Sequence, residues 1–94
     1  MPDELAYIAT KGGLEALTTS LSPALARKGI TINAIDPGIT DTGWISAQQQ
    51  AEWTQHAPFG RLGRPEDAAN LARFLASDEA GWITGQVIRS RGAL

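Results

Sequence analysis

The chain has 94 residues, of which 43% are hydrophobic and 19% are charged, and its formal net charge is −2. This composition is ordinary for a soluble globular protein, and the length allows one small domain at most. The absence of a basic patch argues against a nucleic-acid partner, and the absence of a long apolar run argues against a membrane span. Without cysteine there is no disulfide and no thiolate metal site, as we expect of a cytoplasmic protein.

The first predicted element is a long helix that ends before Gly29. Asp3 suits the N-cap position, and Gly29 follows two basic residues as a typical C-terminal cap. Pro23 predicts a bend near Thr19 or an early end, because an interior proline removes a backbone hydrogen bond. A leucine face is predicted to cover a core, and the opposite face of small residues is predicted to contact a second helix. The leucines are Leu14, Leu17, Leu21 and Leu25, and the small residues are Ala9, Gly12, Gly13, Ala16 and Ser20.

Tyr7 and Lys11 lie four residues apart and therefore share one face of this helix. A cation one turn from a phenol stabilises the phenolate, so the pair suits a tyrosine that works as a general acid. The same spacing is common where a lysine side chain covers a tyrosine ring without any catalytic role. From these two residues alone, the second interpretation is the more frequent one.

The segment Ile30–Ile35 is an apolar run rich in β-branched residues, and it predicts a buried strand. Pro37 and Gly38 end the strand in a sharp loop. The polar side chains of that loop are Thr40, Asp41 and Thr42. Because ligands of open α/β sheets bind beyond the carboxyl ends of strands, the loop is a candidate binding site. The alternative is a polar connection without a ligand.

The second half of the chain contains two predicted helices and a final strand. A short polar helix covers residues 46–55 and ends near His56, and a second helix starts at Gly63–Asp67 and runs to about Ser77. Residues 85–89 form the strand. His56 has no second candidate ligand nearby, so we expect no metal site. Three aromatic side chains either cover an apolar ligand as a flap or pack against the fold, namely Trp44, Trp53 and Phe59.

The order helix, strand, loop, short helix, helix, strand predicts an α/β fold with two parallel strands. Parallel strands need cover on both faces, and two of them are too few to be stable in isolation. Residues 85–89 can pair with one edge of the strand 30–35, and nothing in the sequence pairs with the other. No glycine-rich phosphate loop follows a strand, since Gly60-Arg61-Leu62-Gly63 lacks the dinucleotide-binding spacing.

Three segments together resemble the C-terminal portion of a classical short-chain dehydrogenase/reductase, similar to 3-oxoacyl-carrier-protein reductase-like members. The family's Tyr-x-x-x-Lys helix is similar to LAYIATKGGLEALT, and its strand ending in Asn-x-x-x-Pro-Gly is similar to ITINAIDPGITDT. The closing helix and last strand are similar to PFGRLGRPEDAANLARFLASDEAGWITGQVI. The resemblance implies that residues 1–94 are the C-terminal segment of one Rossmann-like, doubly wound parallel-sheet domain, without the N-terminal dinucleotide-binding half.

The resemblance also implies an NAD(P)-dependent oxidoreductase that reduces a carbonyl or oxidises a secondary alcohol. Tyr7 would be its general acid, or its base in the reverse direction, and Lys11 would activate Tyr7 and bind the nicotinamide ribose. The other implied cofactor contacts are Pro37, Gly38, Thr40 and Thr42. NAD or NADP would be the cofactor, a small carbonyl compound or alcohol the substrate, and a homo-oligomer would form through the first helix.

The chain departs from the family pattern in two respects. The family's catalytic serine, the asparagine of its proton relay and the residue that selects NAD or NADP have no counterpart in residues 1–94. The tail reads Arg91-Gly92-Ala93 where the family usually has Asp-Gly-Gly. We therefore expect that the isolated chain binds no dinucleotide. The alternative interpretation is a truncated, inactive remnant that acts at most as a dimerising or interaction module.

Overall fold

The computed structural model describes the backbone of residues 2–41 and 43–94. Its elements are helix α1 at Pro2–Ala26, strand β1 at Ala34–Asp36, helix α2 at Ala47–His56, helix α3 at Pro65–Leu75, a 3₁₀ turn at Asp78–Ala80 and strand β2 at Val87–Arg89. The two strands are parallel, with Ile35 opposite Ile88. The predicted order of elements and the parallel pairing are therefore confirmed, although β2 begins two residues later than predicted.

The predicted strand 30–35 is wrong at both ends, because β1 begins at Ala34 and continues to Asp36. Upstream of β1, the Ile32 amide donates to the hydroxyl of Thr84 over 2.9 Å, where a regular ladder would offer a backbone carbonyl. A side-chain partner of this kind satisfies the backbone amide without forming a ladder. The sheet is therefore short, although neighbouring segments run beside it.

Helix α1 runs without interruption through Pro23, so the predicted early end is wrong. Pro23 has no N–H to offer the Thr19 carbonyl, but the Ser22 hydroxyl donates to that carbonyl over 2.8 Å. This bond satisfies the acceptor that proline leaves open. The helix also includes Asp3, the predicted N-cap, because it begins at Pro2, where the fixed φ of proline suits the first turn.

Gly29 terminates α1 as predicted. Its φ is 75°, a left-handed conformation that residues with side chains rarely adopt. The Gly29 amide donates to the Ala26 carbonyl and the Ile30 amide donates to the Leu25 carbonyl, each within 3.0 Å. These two bonds form a Schellman motif and satisfy carbonyls at the end of the helix.

Helices α2 and α3 start at local capping signals. The Ser46 side chain accepts from the Gln49 amide over 3.1 Å in a capping box. At the start of α3, Asp67 accepts the Arg64 amide over 2.7 Å and two guanidinium bonds from Arg61 of 2.8 and 3.0 Å. The bonds from Arg61, followed by that from the Arg64 amide, lower the pKa of Asp67 to about 2.

The leucine face of α1 is not covered by the described residues. Three of the predicted core leucines are 43–57% exposed, namely Leu14, Leu17 and Leu21. Instead, Thr18 is the buried position among residues 4–26 of this helix, with 3% exposure, and its hydroxyl donates to a backbone carbonyl one turn earlier. These leucines therefore lack the apolar surface that they are predicted to cover, because the elements that α1 contacts among the described residues are the two short strands. A Cβ added at Gly12 or Gly13 would meet nothing within 4 Å, so the small face is open as well.

The surface area and dimensions of the chain agree with this open arrangement. The accessible surface is 7161 Å². A compact folded monomer of this size exposes about 5,200 Å². The radius of gyration is 15.7 Å, against about 12 Å for a compact domain of this length. Only small or isolated apolar residues are buried in the described part of the chain, namely Ala57, Leu62 and Ala80.

The docking of α1 on the sheet predicts the effect of a substitution at Gly85. Gly85 has a φ of 73°, and a Cβ there would lie 2.5 Å from Ser22 Oγ, which cannot turn away without losing its bond to the Thr19 carbonyl. We expect Gly85→Ala to lower the free energy of unfolding by about 1–2 kcal/mol for the left-handed backbone. The collision adds about 1–3 kcal/mol.

Gly29→Ala is the matched control for Gly85→Ala. Gly29 has nearly the same φ, 75°, but a Cβ there would meet nothing within 4 Å. Gly29→Ala should therefore lose only the part of the free energy of unfolding that comes from the left-handed backbone. Urea unfolding of both variants in the protein as the cell makes it measures the difference, and equal losses would contradict the proposed contact between α1 and the segment before β2.

The Arg61–Asp67 ion pair predicts a pH dependence. Because the folded pKa of Asp67 lies below its ordinary value, the pair stabilises the fold above about pH 4. That stabilisation is lost as the pH falls through about 2. We expect the carboxyl carbon of Asp67 to titrate near that value by NMR, and Arg61→Gln to raise the midpoint towards about 3.9.

Arg73→Gln is the control for that titration, because Arg73 donates to Asn70 and not to Asp67. The control should leave the midpoint of Asp67 unchanged. A midpoint that does not move in Arg61→Gln would show that the ion pair is not the cause of the lowered pKa.

Candidate active site

Tyr7 and Lys11 lie on one face of α1, as their spacing predicts. The Lys11 Nζ atom is 5.5 Å from the centre of the Tyr7 ring, within the range of a cation–π contact. Tyr7 is 64% exposed, so its side chain is accessible to a ligand. A lysine over a tyrosine ring is also what the non-catalytic interpretation predicts, and the pair by itself does not distinguish the two.

Asp36 ends β1 and folds the turn that follows. Its Oδ1 atom accepts the Gly38 amide over 3.2 Å, across the intervening Pro37. Gly38 has a φ of 64°, which favours glycine. The Asp-Pro-Gly sequence therefore turns the chain immediately after the strand.

A cavity of about 320 Å³ lies between α1 and this turn. Tyr7 and Lys11 line it from the helix, and Pro37 and Gly38 line it from the turn. Further lining comes from Leu14, Glu15, Ala34, Ile35, Asp36, Val87 and Arg91. The volume is at the lower end of the range of about 300–1,000 Å³ for small-molecule sites. Four of the six predicted site residues therefore border one space.

The tail after β2 contributes a residue that the sequence analysis missed. Arg91 Nη1 donates to both carboxylate oxygens of Asp36, over 3.0 and 3.2 Å, and Arg91 Nε donates to the Leu94 carbonyl over 3.1 Å. The hydrogen bond from Arg91 lowers the pKa of the Asp36 carboxyl. The sequence did indicate that this position is unusual, because Arg91 replaces the family's usual aspartate. It did not indicate which acidic side chain Arg91 contacts.

Thr40 is not among the residues that line the cavity. It pairs with Gly63 in a single parallel bridge, in which the Gly63 amide donates to the Ile39 carbonyl and the Asp41 amide donates to the Gly63 carbonyl. In this geometry the amide and carbonyl of Thr40 point away from Gly63. Thr42, the last predicted cofactor contact, lies outside the described residues.

The aromatic segment does not pack as a unit against the fold. Trp44 is 91% exposed and Phe59 is 79% exposed, whereas Trp53 is partly buried. The packing alternative is therefore wrong for Trp44 and Phe59. Their role as a flap over a ligand stays a prediction.

The described residues include no group of three His, Cys, Asp or Glu side chains that could hold a metal ion. His56 is exposed in the last turn of α2. None of the helices within residues 2–41 and 43–94 combines the length and the apolarity needed to span a bilayer.

Comparison with known proteins identifies the family. A family model described as enoyl-(acyl carrier protein) reductase matches residues 1–92, which include both sides of the cavity. The chain belongs to the short-chain dehydrogenase/reductase family. The resemblance of its three segments to this family is therefore confirmed.

Similar proteins in this family are longer. The uncharacterized oxidoreductase YjdA of Bacillus subtilis (strain 168) is 53% identical over 92 residues, which cover 98% of this chain and 37% of YjdA. The 3-oxoacyl-[acyl-carrier-protein] reductase FabG of Rickettsia felis is 43% identical over 96 residues, covering 99% of this chain and 40% of FabG. The chain spans about two fifths of the length of these short-chain dehydrogenases/reductases.

A solved reductase structure has the same fold over nearly the whole chain. The promiscuous reductase LugOII, which catalyses keto-reduction at C1 during lugdunomycin biosynthesis, is 39% identical and aligns with a TM-score of 0.84. The alignment covers 98% of this chain and 38% of LugOII. The three helices and the parallel strand pair therefore correspond to part of a reductase fold.

Proposed function

We propose that the protein is an NAD(P)-dependent oxidoreductase that reduces a carbonyl compound or oxidises a secondary alcohol. The observation that carries the proposal is the cavity in which Tyr7 and Lys11 of α1 border the same space as Pro37 and Gly38. Membership of a reductase family adds independent support. The keto-reduction of LugOII and the 3-oxoacyl substrate in the name of FabG favour a carbonyl substrate.

The donors at the cavity fit the nicotinamide-ribose end of the cofactor. A ribose diol accepts hydrogen bonds, and the Lys11 ammonium has three donors to offer it. The sequence has no glycine-rich phosphate loop after a strand, so these residues fit that end of the dinucleotide only. When bound, the nicotinamide supplies or accepts the hydride.

Tyr7 and Lys11 carry out the proton transfer that accompanies the transfer of the hydride. In the direction of reduction, the Tyr7 hydroxyl donates its proton to the carbonyl oxygen of the substrate, and in oxidation the phenolate takes the proton from the alcohol. The positive charge of Lys11 stabilises the negative charge that Tyr7 carries after its proton leaves. Pro37 and Gly38 form the wall that positions the nicotinamide, and we assign the carboxamide contact to the backbone of Thr40.

We further propose a wider context for these residues. Thr42 contacts the cofactor amide or pyrophosphate, and β1 and β2 are the last strands of a Rossmann-like, doubly wound sheet. The exposed leucines of α1 support a larger sheet, since such a face needs apolar cover. The open small face of α1, around Gly12 and Gly13, supports a homo-oligomer formed through that helix. A cytoplasmic location is part of the same proposal.

The assignment of Tyr7 and Lys11 predicts different effects of two substitutions. In the protein as the cell makes it, Tyr7→Phe removes only the proton donor, so it should lower kcat by roughly 10²–10⁴-fold and leave the Kd for the nucleotide nearly unchanged. Lys11→Ala should lower kcat and also weaken nucleotide binding. Turnover of ketones with NADH and NADPH, together with fluorescence titration of the nucleotides, measures both parameters.

Thr10→Ala is the control for these variants, because Thr10 is exposed on α1 beside Lys11 and does not line the cavity. It should retain turnover and nucleotide affinity. Substantial turnover by Tyr7→Phe would show that another group is the general acid. No turnover and no nucleotide binding by the unsubstituted protein would favour the alternative of an interaction module.

A further inference from the structure

Asp36 connects the turn after β1 to the tail after β2. Its Oδ1 accepts the Gly38 amide over 3.2 Å, and its two carboxylate oxygens accept Arg91 Nη1 over 3.0 and 3.2 Å. The backbone carbonyl of Asp36 also accepts the Ser90 amide over 2.9 Å. One carboxylate is therefore shared between two segments that border the cavity.

Arg91 also packs directly on that turn. A Cβ placed on Gly38 would lie 2.9 Å from Arg91 Cγ and 3.0 Å from Arg91 Nε, so the arginine side chain fills the space beside this glycine. The same Nε atom donates to the Leu94 carbonyl, which fixes the path of the side chain. Arg91 thus lies beside Gly38 and also donates to the carboxylate that caps it.

We propose that Asp36 and Arg91 are a positioning pair that holds the Pro37–Gly38 wall of the cavity and thereby sets the affinity of the site for the nicotinamide-ribose end of a dinucleotide. The choice of ligand rests on the proposed function, whereas the restraint on Gly38 does not. Both members act through the turn, and neither is assigned a role in the proton transfer.

The exposure of the pair separates this role from a general contribution to stability. The side chains of Arg91 and Asp36 are 36% and 31% exposed, so water screens the pair and its effect on overall stability is small. The Arg61–Asp67 pair has a similar exposure of 44% and 33% but does not line this cavity. Loss of that second pair is therefore a matched control.

Replacing Arg91 by the aspartate that is usual in the family gives the most stringent test of the pair. Arg91→Asp restores the acidic residue of the common Asp-Gly-Gly tail, but in this chain it would set a second carboxylate against Asp36. We therefore expect it to be more harmful than Arg91→Gln. Asp36→Asn combined with Arg91→Asp should recover part of the loss, because an amide can accept from the Gly38 N–H and also donate to the new carboxylate.

The experiment measures two properties of the full protein. Amide hydrogen exchange at Gly38, followed by NMR, reports on the turn without any ligand. Titration with NADH and NADPH reports on affinity, and steady-state kinetics separates KM for the nucleotide from kcat. In Arg91→Gln we expect faster exchange at Gly38 and roughly tenfold weaker nucleotide binding, the loss typical of a charged hydrogen bond. KM should rise with kcat nearly unchanged, whereas Arg61→Gln should change neither exchange nor affinity.

Several outcomes would overturn the positioning pair. They are unchanged exchange at Gly38 in Arg91→Gln, nucleotide binding by Arg91→Asp as tight as in the unsubstituted protein, absence of recovery in the double variant, or an equal loss of affinity in Arg61→Gln. If the unsubstituted protein binds neither NADH nor NADPH, the proposed function fails, and the exchange rate of Gly38 alone then decides whether the pair restrains the turn.

Discussion

The parallel pairing of β1 with β2 determines where the other features of the chain lie. Because parallel strands present their carboxyl ends at the same edge, the turn after Asp36 and the tail after Arg89 emerge side by side. That is why Arg91 reaches Asp36 across a separation of 55 residues. The same pairing requires a long crossover connection, which α2 and α3 supply.

The features that could be predicted from the sequence are those with local causes. The proline at the start of α3 and Gly29 after α1 act within one turn of the helix, and the structure agrees with both. The shared face of Tyr7 and Lys11 follows from the helical repeat alone. The Asp-Pro-Gly turn was likewise predictable, since proline and glycine restrict or extend the backbone wherever they occur.

The features that could not be predicted depend on partners remote in the sequence. Upstream of β1, the Ile32 amide donates to the hydroxyl of Thr84, and periodicity does not reveal that such a side chain replaces a backbone partner. The continuity of α1 through Pro23 depends on the rotamer of Ser22. The leucine pattern correctly marks an apolar face, but it does not say whether the covering surface belongs to the same 94 residues. The contact of Arg91 with Asp36 could not be predicted, because the sequence contains several acidic residues with which an arginine could pair.

The exposed leucine face of α1 and the small core make one measurement decisive. Sedimentation velocity combined with thermal melting of the 94-residue chain tests whether the helix and the short sheet need further apolar cover. The exposure of Leu14, Leu17 and Leu21 predicts an associated or aggregated chain without a sharp monomeric transition. A monodisperse monomer with a sharp, cooperative melting transition would contradict this account, because it would show that the contacts between α1, β1 and β2 suffice for a stable fold.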